Sequence, residues 1–484
     1  DMSNLSDLLP AGAGGKQVDF VASGTIASGK PVILNSAGTV TQVAGQDAGG
    51  GTPALFETGN PNSIASTFDS NAGKVVICYN VSSTSGSAIV GTVSGRSISY
   101  GTAVVFEAAN ADNITATFDS NSNKVVIAYR DRGNSNYGTA IVGTVSGTSI
   151  SFGTAVVFES ANSTSCAATF DSNSNKVVIA YTDRGNSNYG TAIVGTVSGT
   201  AISFGTAVVH STTNAGFFAS CSFDSNSNKV VISYQNAGSS DHGTAIVGTV
   251  SGTSISFGTA VVFESAAIGE ISSTFDTAAN KIVISYQDQG NSFYGTAIVG
   301  TVSSTSISFG TAVVFEAANT GYTSAVFDTN AGKVVISYQD NGNTGDATVA
   351  VGTVSGTAIS FVTPVVASTG NAFYIGSTYD STNNVVVIAY GDNAASNDGY
   401  AVVYDNTSST NLTSTNFIGI SDAAISSASS GSVTIKGGIS SNVTGLTANL
   451  TYYVQTDGTI TTTTSTVLAG RALSSTSINL DYTT

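Results

Sequence analysis

The chain has 484 residues, of which 9% are charged, and its formal net charge at pH 7 is −16. This length allows one large domain and a smaller one, and the acidic balance argues against nucleic acid and anionic membrane as partners, because both require a basic patch. No apolar run reaches the ~18 residues of a membrane-spanning helix, so membrane insertion is not expected.

The first 48 residues predict a few short strands. Segments 17–22, 30–34 and 39–43 are rich in β-branched residues and are separated by Gly, Ser and Asn. Such runs, bounded by turn residues, are typical of strands. They do not follow the pattern of the rest of the chain.

From residue 49 onward the chain is built on a repeat of about fifty residues. Each copy carries an aromatic–Asp pair followed by an apolar run, and successive pairs are 50, 52, 53, 52, 52 and 52 residues apart. A constant period of this length indicates stacked or radially arranged units, none of which buries its apolar surface alone. We number the seven repeats by their pairs, which are Phe68-Asp69, Phe118-Asp119, Phe170-Asp171, Phe223-Asp224, Phe275-Asp276, Phe327-Asp328 and Tyr379-Asp380.

One repeat predicts four strands and no helix. In the second repeat, residues 116–118, 124–129, 139–145 and 150–159 are apolar and β-branched, with polar turns between them. The run at 124–129 is apolar at successive positions, as expected of a strand covered on both faces. Four antiparallel strands in each period of about fifty residues are the signature of a β-propeller blade.

The ends of the repeat region indicate how the ring closes. The seventh repeat has no fourth strand after residue 404, whereas residues 51–57 match the fourth strand at 153–159. We therefore predict an all-β chain with a seven-bladed β-propeller at 49–406, closed by an N-terminal strand so that no sheet edge stays free. An open solenoid is the alternative, but it requires capping units, and none is visible.

The residues after the ring, 407–484, again predict short strands, at 416–420, 432–436, 451–455 and 469–473. Both flanks meet the ring at the seventh repeat. We expect 1–48 and 407–484 to fold together as one small discontinuous β-domain for anchoring or assembly, with the propeller inserted in it.

The flanks carry a family resemblance. Residues 3–12 and 22–32 resemble the N-terminal segment of virion-associated proteins of tailed bacteriophages, and 417–422, 452–454 and 469–473 look like the matching tail. The resemblance implies a non-enzymatic fibre, adhesion or decoration protein on the virion surface, attached to other virion proteins or joined to copies of itself as a homo-oligomer. Asp1 before Met2 is consistent with a processed or partial product.

Two kinds of polar loop are candidate binding sites. The Asp-x-Asn-x-Asn turns, such as 119–123, resemble a calcium loop but lack its central Gly and distal Glu; a hairpin turn with Asx hydrogen bonds is the favoured interpretation. Loops between the second and third strands combine a carboxylate, amides and an aromatic ring, which suits sugar but also an ordinary packed loop.

The connections between repeats differ most from copy to copy and carry additional aromatic residues. They are expected to share one face with the second-to-third-strand loops, opposite to both junctions with the flanks, and loops on a rigid scaffold commonly carry recognition. The candidate ligand-binding residues are Asp131, Asn134, Tyr137, Asp183, Tyr189, Phe217, Phe218, Asp288, Tyr294, Tyr322, Phe373 and Tyr374.

Catalysis has little support in the sequence. The two histidines, His210 and His242, lie in no nucleophile or HExxH context, and no carboxylate pair stands out as a glycosidase pair. The three cysteines predict small core residues and no disulfide framework. We therefore expect no enzyme, cofactor or metal, but a virion surface protein that binds host glycan. The alternatives are a purely structural decoration or filament subunit and a bacterial surface lectin.

Overall fold

The computed structural model describes residues 16–46, 48–407 and 409–480. Residues 3–12, on which the family resemblance partly rests, lie outside this description. The chain divides into two compact units, one drawn from Asp1–Ala48 and Thr407–Thr484 and the other formed by Gly49–Asn406. The all-β class is confirmed, since three single-turn 3-10 helices at Ala237–Ser239, Gln289–Asn291 and Asn393–Ala395 are the helices among the described residues. None of these helices could cross a membrane.

Each repeat of the unit Gly49–Asn406 is an antiparallel meander of four strands, the fourth in two pieces. In the second repeat, Phe118 pairs with Val125, Val125 with Gly143, and Gly143 with Phe152. The first strands are Pro61–Asp69, Ala111–Asp119, Ala219–Asp224, Ala372–Asp380 and the later parts of Val156–Asp171, Val261–Asp276 and Val313–Asp328. The second strands are Lys74–Val81, Lys124–Asp131, Lys176–Asp183, Lys229–Asn236, Lys281–Asp288, Lys333–Asp340 and Val385–Asp392.

The third and fourth strands complete the meander. The third strands are Ser85–Ser94, Tyr137–Ser146, Tyr189–Ser198, His242–Ser251, Tyr294–Ser303, Asp346–Ser355 and Asp398–Asp405. The first pieces of the fourth strands are Ser97–Tyr100, Ser149–Phe152, Ala201–Phe204, Ser254–Phe257, Ser306–Phe309, Ala358–Phe361 and Gly49–Gly50. The second pieces are Val104–Glu107, Val208–Asn214, Val365–Ser368, Ala54–Glu57 and the early parts of the three long strands Val156–Asp171, Val261–Asp276 and Val313–Asp328.

The first and seventh repeats share a core, although each sheet stays open. Ala54–Glu57 pairs with the third strand of the seventh repeat, placing Leu55 opposite Tyr400. Val75 and Ile77 of the first repeat pack in one cluster with Val387 of the seventh. Every other pair of consecutive repeats shares a similar cluster of buried aliphatic side chains. The second strands are buried on both faces because a neighbouring repeat covers each side.

A recurring contact fastens the fourth strand of one repeat to the second strand of the next. Between the first and second repeats, the Phe106 and Tyr129 ring centroids are 5.2 Å apart, and the Tyr129 hydroxyl donates to Glu107 Oε2 at 3.1 Å. We call this set the Phe–Glu–Tyr contact. It recurs with rings 5.1–5.3 Å apart and hydrogen bonds of 2.8–3.2 Å at the sites of Tyr79, Tyr181, Tyr286 and Tyr338.

The aromatic–Asp pairs end the first strands in Asx turns, as the sequence predicted. Asp119 Oδ1 accepts from the backbone N–H groups of Asn121 and Ser122 at 2.9 and 3.0 Å. All seven copies make the same pair of bonds. We call this end of the repeats the turn face. Gly49 pairs with Asp405 at the same end.

The unit formed by the flanking segments holds two five-stranded sheets and a short ribbon. The first sheet contains Gln17–Val21, Pro31–Leu34, Val40–Gln42, Phe417–Ser421 and Ser430–Ile435. The second contains Ile439–Ser440, Thr451–Val454, Ile460–Thr461, Leu468–Ala472 and Ile478–Asn479, and the ribbon pairs Gly45–Gln46 with Ser409–Thr410. Strands from both flanks pair directly in the first sheet, because Pro31–Leu34 pairs with Phe417–Ser421 and Gln17–Val21 with Ser430–Ile435.

Candidate functional site

The second-to-third-strand loops and the connections between repeats lie together at the end opposite the turn face. Backbone hydrogen bonds join them: Arg132 N–H donates to the Asn110 carbonyl at 2.9 Å, and Ser163 N–H donates to the Asn136 carbonyl at 3.1 Å. We call this end the loop face. All twelve candidate binding residues of the sequence analysis lie at this end of the repeats, in the loops and connections or in the strand segments beside them.

The predicted carboxylates of the second-to-third-strand loops hold the loops themselves. Asp131 Oδ1 accepts from Asn134 N–H at 3.0 Å, and Asp183 Oδ1 accepts from Asn186 N–H at 3.1 Å. Asp288 makes the equivalent bond at 3.1 Å. All three carboxylates are buried, and burial, followed by the nearby Glu107 and Glu264 charges, raises the pKa of Asp131 and of Asp288. These groups act first as loop caps.

The predicted tyrosines of these loops begin the third strands. Tyr137, Tyr189 and Tyr294 pair across the hairpin with the capping carboxylates Asp131, Asp183 and Asp288. Each tyrosine is half-buried. They therefore form the rim of the loop face, one in each of three repeats, and are not brought together in one site.

A bulge interrupts the pairing of the first strand with the second strand in six of the seven repeats. One residue at each bulge has left-handed backbone although none is glycine, with φ between 38° and 55°: Ser63, Asn113, Ser165, Glu270, Tyr322 and Tyr374. Such φ values are unfavourable for large side chains and cluster at functional sites. The hydrogen bonds of the Asx turns are the same in every repeat, whereas the six bulge positions carry four residue types, Ser, Asn, Glu and Tyr.

The bulge side chains also link neighbouring repeats. Ser63 Oγ accepts from Ile114 N–H at 2.9 Å, and Asn113 Oδ1 accepts from Ser165 N–H at 2.9 Å. These bonds fix the first three bulges against each other, so the surface they form is preorganised.

A pocket of about 520 Å³ lies on the loop face among the seventh, first and second repeats. Tyr374 supplies its aromatic wall, and polar side chains supply the rest. We call it the mouth pocket; its lining is Asn62, Ser63, Ser83, Asn110, Asp112, Asn113, Arg132 and Tyr374. The volume lies in the range of sites for small ligands.

The charged residues that line the mouth pocket are Asp112 and Arg132. Asp112 forms ion pairs with Arg130 and Arg132, each with an N···O distance of 2.5 Å. Burial opposes ionisation of Asp112, but hydrogen bonds from Arg130, Asn113 and Arg132 outweigh it and lower the pKa of this carboxyl. The Arg132 side chain remains 47% exposed, so its free N–H groups face solvent.

Neighbouring aromatic rings hold Tyr374 in place. Its ring centroid lies 5.2 Å from that of Tyr322 and 5.4 Å from that of Phe373. Tyr374 is 40% exposed, whereas Phe373 is 7% exposed. Of the predicted aromatic residues, Tyr374 therefore lines the mouth pocket, Tyr322 adjoins it, and Phe373 supports it from below.

The remaining predicted aromatic pair lies in the fourth repeat, away from the mouth pocket. Phe217 is 64% exposed, and the Arg184 guanidinium stacks over its ring at 5.1 Å. Phe218 packs against the core cluster of the fourth and fifth repeats. Phe217 and Arg184 therefore form a separate patch, whereas Phe218 is part of the core packing.

Sequence reasoning missed the polar half of the mouth pocket. Asp112, Asn113 and Arg132 were not selected, although arginine is rare in this chain and two arginines, Arg130 and Arg132, follow Asp112 within one repeat. Aligning the repeats at the bulge position would have found Ser63 and Asn113. Within the part of the chain that the structure describes, no group of three or more His, Cys, Asp or Glu side chains is placed to hold a metal ion.

Comparison with known proteins gives a fold and no family. No protein-family model matches the chain, and no curated protein matches it in sequence. The BP39L lectin from Burkholderia pseudomallei is similar in structure, with a TM-score of 0.56 and 11% identity, over 74% of this chain and 99% of that one. This likeness identifies the fold as a β-propeller fold.

Two further solved structures are more distant. AofleA from Arthrobotrys oligospora has a TM-score of 0.41 at 11% identity, over 71% of this chain and 96% of its own. The SapL1 lectin, solved with α-methyl fucoside, has a TM-score of 0.39 at 11% identity, over 63% of this chain and 96% of its own.

Proposed function

We propose that the chain is a seven-bladed β-propeller, closed by Ala54–Glu57, that binds carbohydrate in the mouth pocket. The pairing of Ala54–Glu57 with the seventh repeat supports the closure, as does the hydrogen bond from Tyr79 in the first repeat to Glu57 at 3.1 Å. Both contacts are those expected of a strand that lies between the last repeat and the first.

The observation that carries the binding proposal is the composition of the mouth pocket. The exposed face of Tyr374 suits the apolar C–H surface of a sugar ring. Asn62, Asn110 and Asn113 offer amide donors and acceptors, and Arg132 offers charge-assisted donors for hydroxyl groups. A pocket with one aromatic wall and convergent polar groups favours a polyol over an apolar ligand.

The propeller lectin fold of BP39L supports the same function, because that protein is described as a lectin. In our proposal the chain is not an enzyme. The mouth pocket holds its charged groups in ion pairs, an arrangement that orients a ligand and leaves no carboxylate pair for acid–base chemistry.

We further propose that the protein acts on a virion surface, where residues 1–48 and 407–484 contact other virion proteins. The resemblance of both flanks to phage virion proteins supports this location. A bacterial surface lectin is the second candidate, favoured by the likeness to BP39L. Detection of the chain in purified phage particles distinguishes the two.

The experiment for carbohydrate binding compares two aromatic substitutions on the loop face. Tyr374→Ala removes the wall of the mouth pocket, whereas Phe293→Ala removes a ring that is exposed on the loop face and does not line the pocket. On a glycan array and on intact bacteria, we expect Tyr374→Ala to weaken binding at least tenfold and Phe293→Ala to leave it unchanged.

Two results would contradict this proposal. Equal binding by the wild type and Tyr374→Ala, with both proteins folded, would remove the mouth pocket as the site. If the folded wild type bound neither glycans nor cells, a purely structural subunit would be the better description.

A further inference from the structure

At the interface between the sixth and seventh repeats, two positions that carry aromatic rings at the other interfaces have no ring. Ala367 occupies the position of Phe106, and Gly50 occupies the position of Phe152, in the repeat alignment. In the first interface these two phenylalanine rings pack 5.8 Å apart. Even between the third and fourth repeats, the His210 ring takes the place of the phenylalanine, 5.1 Å from Tyr234.

The missing rings leave a pocket of about 370 Å³. Its walls include Pro53, Ala367, Ser368, Tyr390, Asp392 and Tyr400. We call it the interface pocket. It shares no lining residue with the mouth pocket.

The walls of the interface pocket are aromatic and aliphatic, with polar groups that have partners. The Tyr390 and Tyr400 rings stack with centroids 6.4 Å apart at an interplanar angle of 27°. The Tyr390 hydroxyl donates to Ser368 Oγ at 2.7 Å, and Asp392 Oδ1 accepts from Ala394 N–H at 2.8 Å. Aromatic walls with a few polar groups at fixed positions suit a small aromatic ligand that also carries a hydroxyl or N–H group.

We infer that the interface pocket is a second binding site, which takes an aromatic ring of phenyl, phenol or indole size from an external ligand. The equivalent positions at other interfaces of the protein hold an aromatic ring beside the same tyrosine. In five other interfaces a phenylalanine ring stands 5.1–5.3 Å from the tyrosine equivalent to Tyr390. A ligand ring would take that position against Tyr390, with Ser368 and Asp392 as acceptors for a hydroxyl or N–H group.

The test uses indole, whose fluorescence can be followed without interference because the chain contains no tryptophan. We expect saturable binding at one site per chain, with displacement by p-cresol. Displacement by N-acetyl-tyrosinamide as well would identify the source as a polypeptide side chain, and displacement by p-cresol alone would identify it as a small molecule.

Two variants fill the interface pocket. Ala367→Phe combined with Tyr400→Thr restores the residues that the second interface has in Phe158 and Thr191, and Ala367→Leu fills part of the space with a smaller change. We expect each to weaken indole binding tenfold or more. Tyr374→Ala, in the mouth pocket, should leave indole binding unchanged, so the two sites can fail independently.

Three results would overturn the inference. Indole binding that persists in both folded filling variants would place the ligand elsewhere, and loss of indole binding in Tyr374→Ala would assign it to the mouth pocket. Displacement of indole by methyl glycosides but not by p-cresol would make the interface pocket a sugar site.

Discussion

The two ends of the repeats are built on opposite rules. At the turn face a cavity of about 550 Å³ is lined by the same ring in repeat after repeat, including Phe68, Phe118, Phe170, Phe223 and Phe275. At the loop face the mouth pocket, of about 520 Å³, is lined by residues that differ between repeats. Interactions that recur in every copy hold the scaffold, and positions where the copies diverge are where recognition can be built.

The largest expected effect comes from removing a recurring contact. Phe158→Ala deletes a buried ring of the Phe–Glu–Tyr contact between the second and third repeats. Loss of a buried phenylalanine costs about 3–5 kcal/mol of unfolding free energy, which urea denaturation measures. We expect glycan binding by the folded fraction to be unchanged, because the mouth pocket lies among the seventh, first and second repeats. Weaker binding without a loss of stability would contradict the division between scaffold and site.

Sequence periodicity was sufficient to predict the structural features that recur from repeat to repeat. The fifty-residue period, the apolar second strands and the match of residues 51–57 to a fourth strand predicted the meanders and the pairing of Ala54–Glu57 with the seventh repeat. The Asx turns followed from an Asp at a fixed place before Asn and Ser. All of these signals are local or repeated, so a pattern found in one repeat can be checked against the same positions in the other repeats.

The mouth pocket, whose residues differ between repeats, could not be predicted in the same way. The bulge that holds Asn113 and Tyr374 in left-handed backbone depends on backbone geometry that the composition does not reveal. The mouth pocket joins Tyr374 to Asp112, which are over 250 positions apart in sequence and meet because the seventh repeat lies beside the first. The carboxylates that the pattern did select, such as Asp131, cap their own loops.

The second effect concerns the turn face and should leave recognition intact. Asp276→Ala removes the acceptor of two backbone N–H groups, those of Ala278 and Ala279. We expect a loss of about 2 kcal/mol in unfolding free energy, measured by urea denaturation. Asp171→Ala is the matched substitution in another repeat and should cost a similar amount, with unchanged glycan binding for both. A large difference between the two would mean that the turns are not equivalent.

The third prediction is the opposite of the second, because glycan binding is expected to change while the unfolding free energy stays the same. Arg132→Ala removes a half-exposed guanidinium group from the mouth pocket, while Asp112 keeps its ion pair with Arg130. We expect glycan affinity to fall about tenfold, or ~1.4 kcal/mol, with little change in unfolding free energy. Arg184→Ala, in the third repeat, is the control and should leave affinity unchanged. If Arg132→Ala unfolded the protein instead, the mouth pocket would be part of the scaffold.

The smallest effect is a change in how the unfolding free energy depends on pH, at a bulge residue that does not line the mouth pocket. Burial raises the pKa of Glu270 from 4.5 to about 7, although an accepted hydrogen bond from Tyr322 N–H acts in the opposite direction. The folded protein therefore holds this proton more tightly than the unfolded chain does. The contribution of Glu270 to stability is complete below pH 4.5 and is lost as the pH rises to about 7.

Glu270→Gln isolates this contribution, because glutamine keeps the shape of the side chain without the titration. Unfolding free energies at several pH values between 4.5 and 7 should fall with pH more steeply for the wild type than for Glu270→Gln. All other titrating groups are common to both proteins and cancel in the difference. Parallel pH profiles would show that Glu270 ionises in the folded state as readily as in the unfolded chain. In that case, water would reach the Glu270 side chain at the bulge of the fifth repeat. Burial in a preorganised loop face would then not explain the left-handed backbone of Glu270.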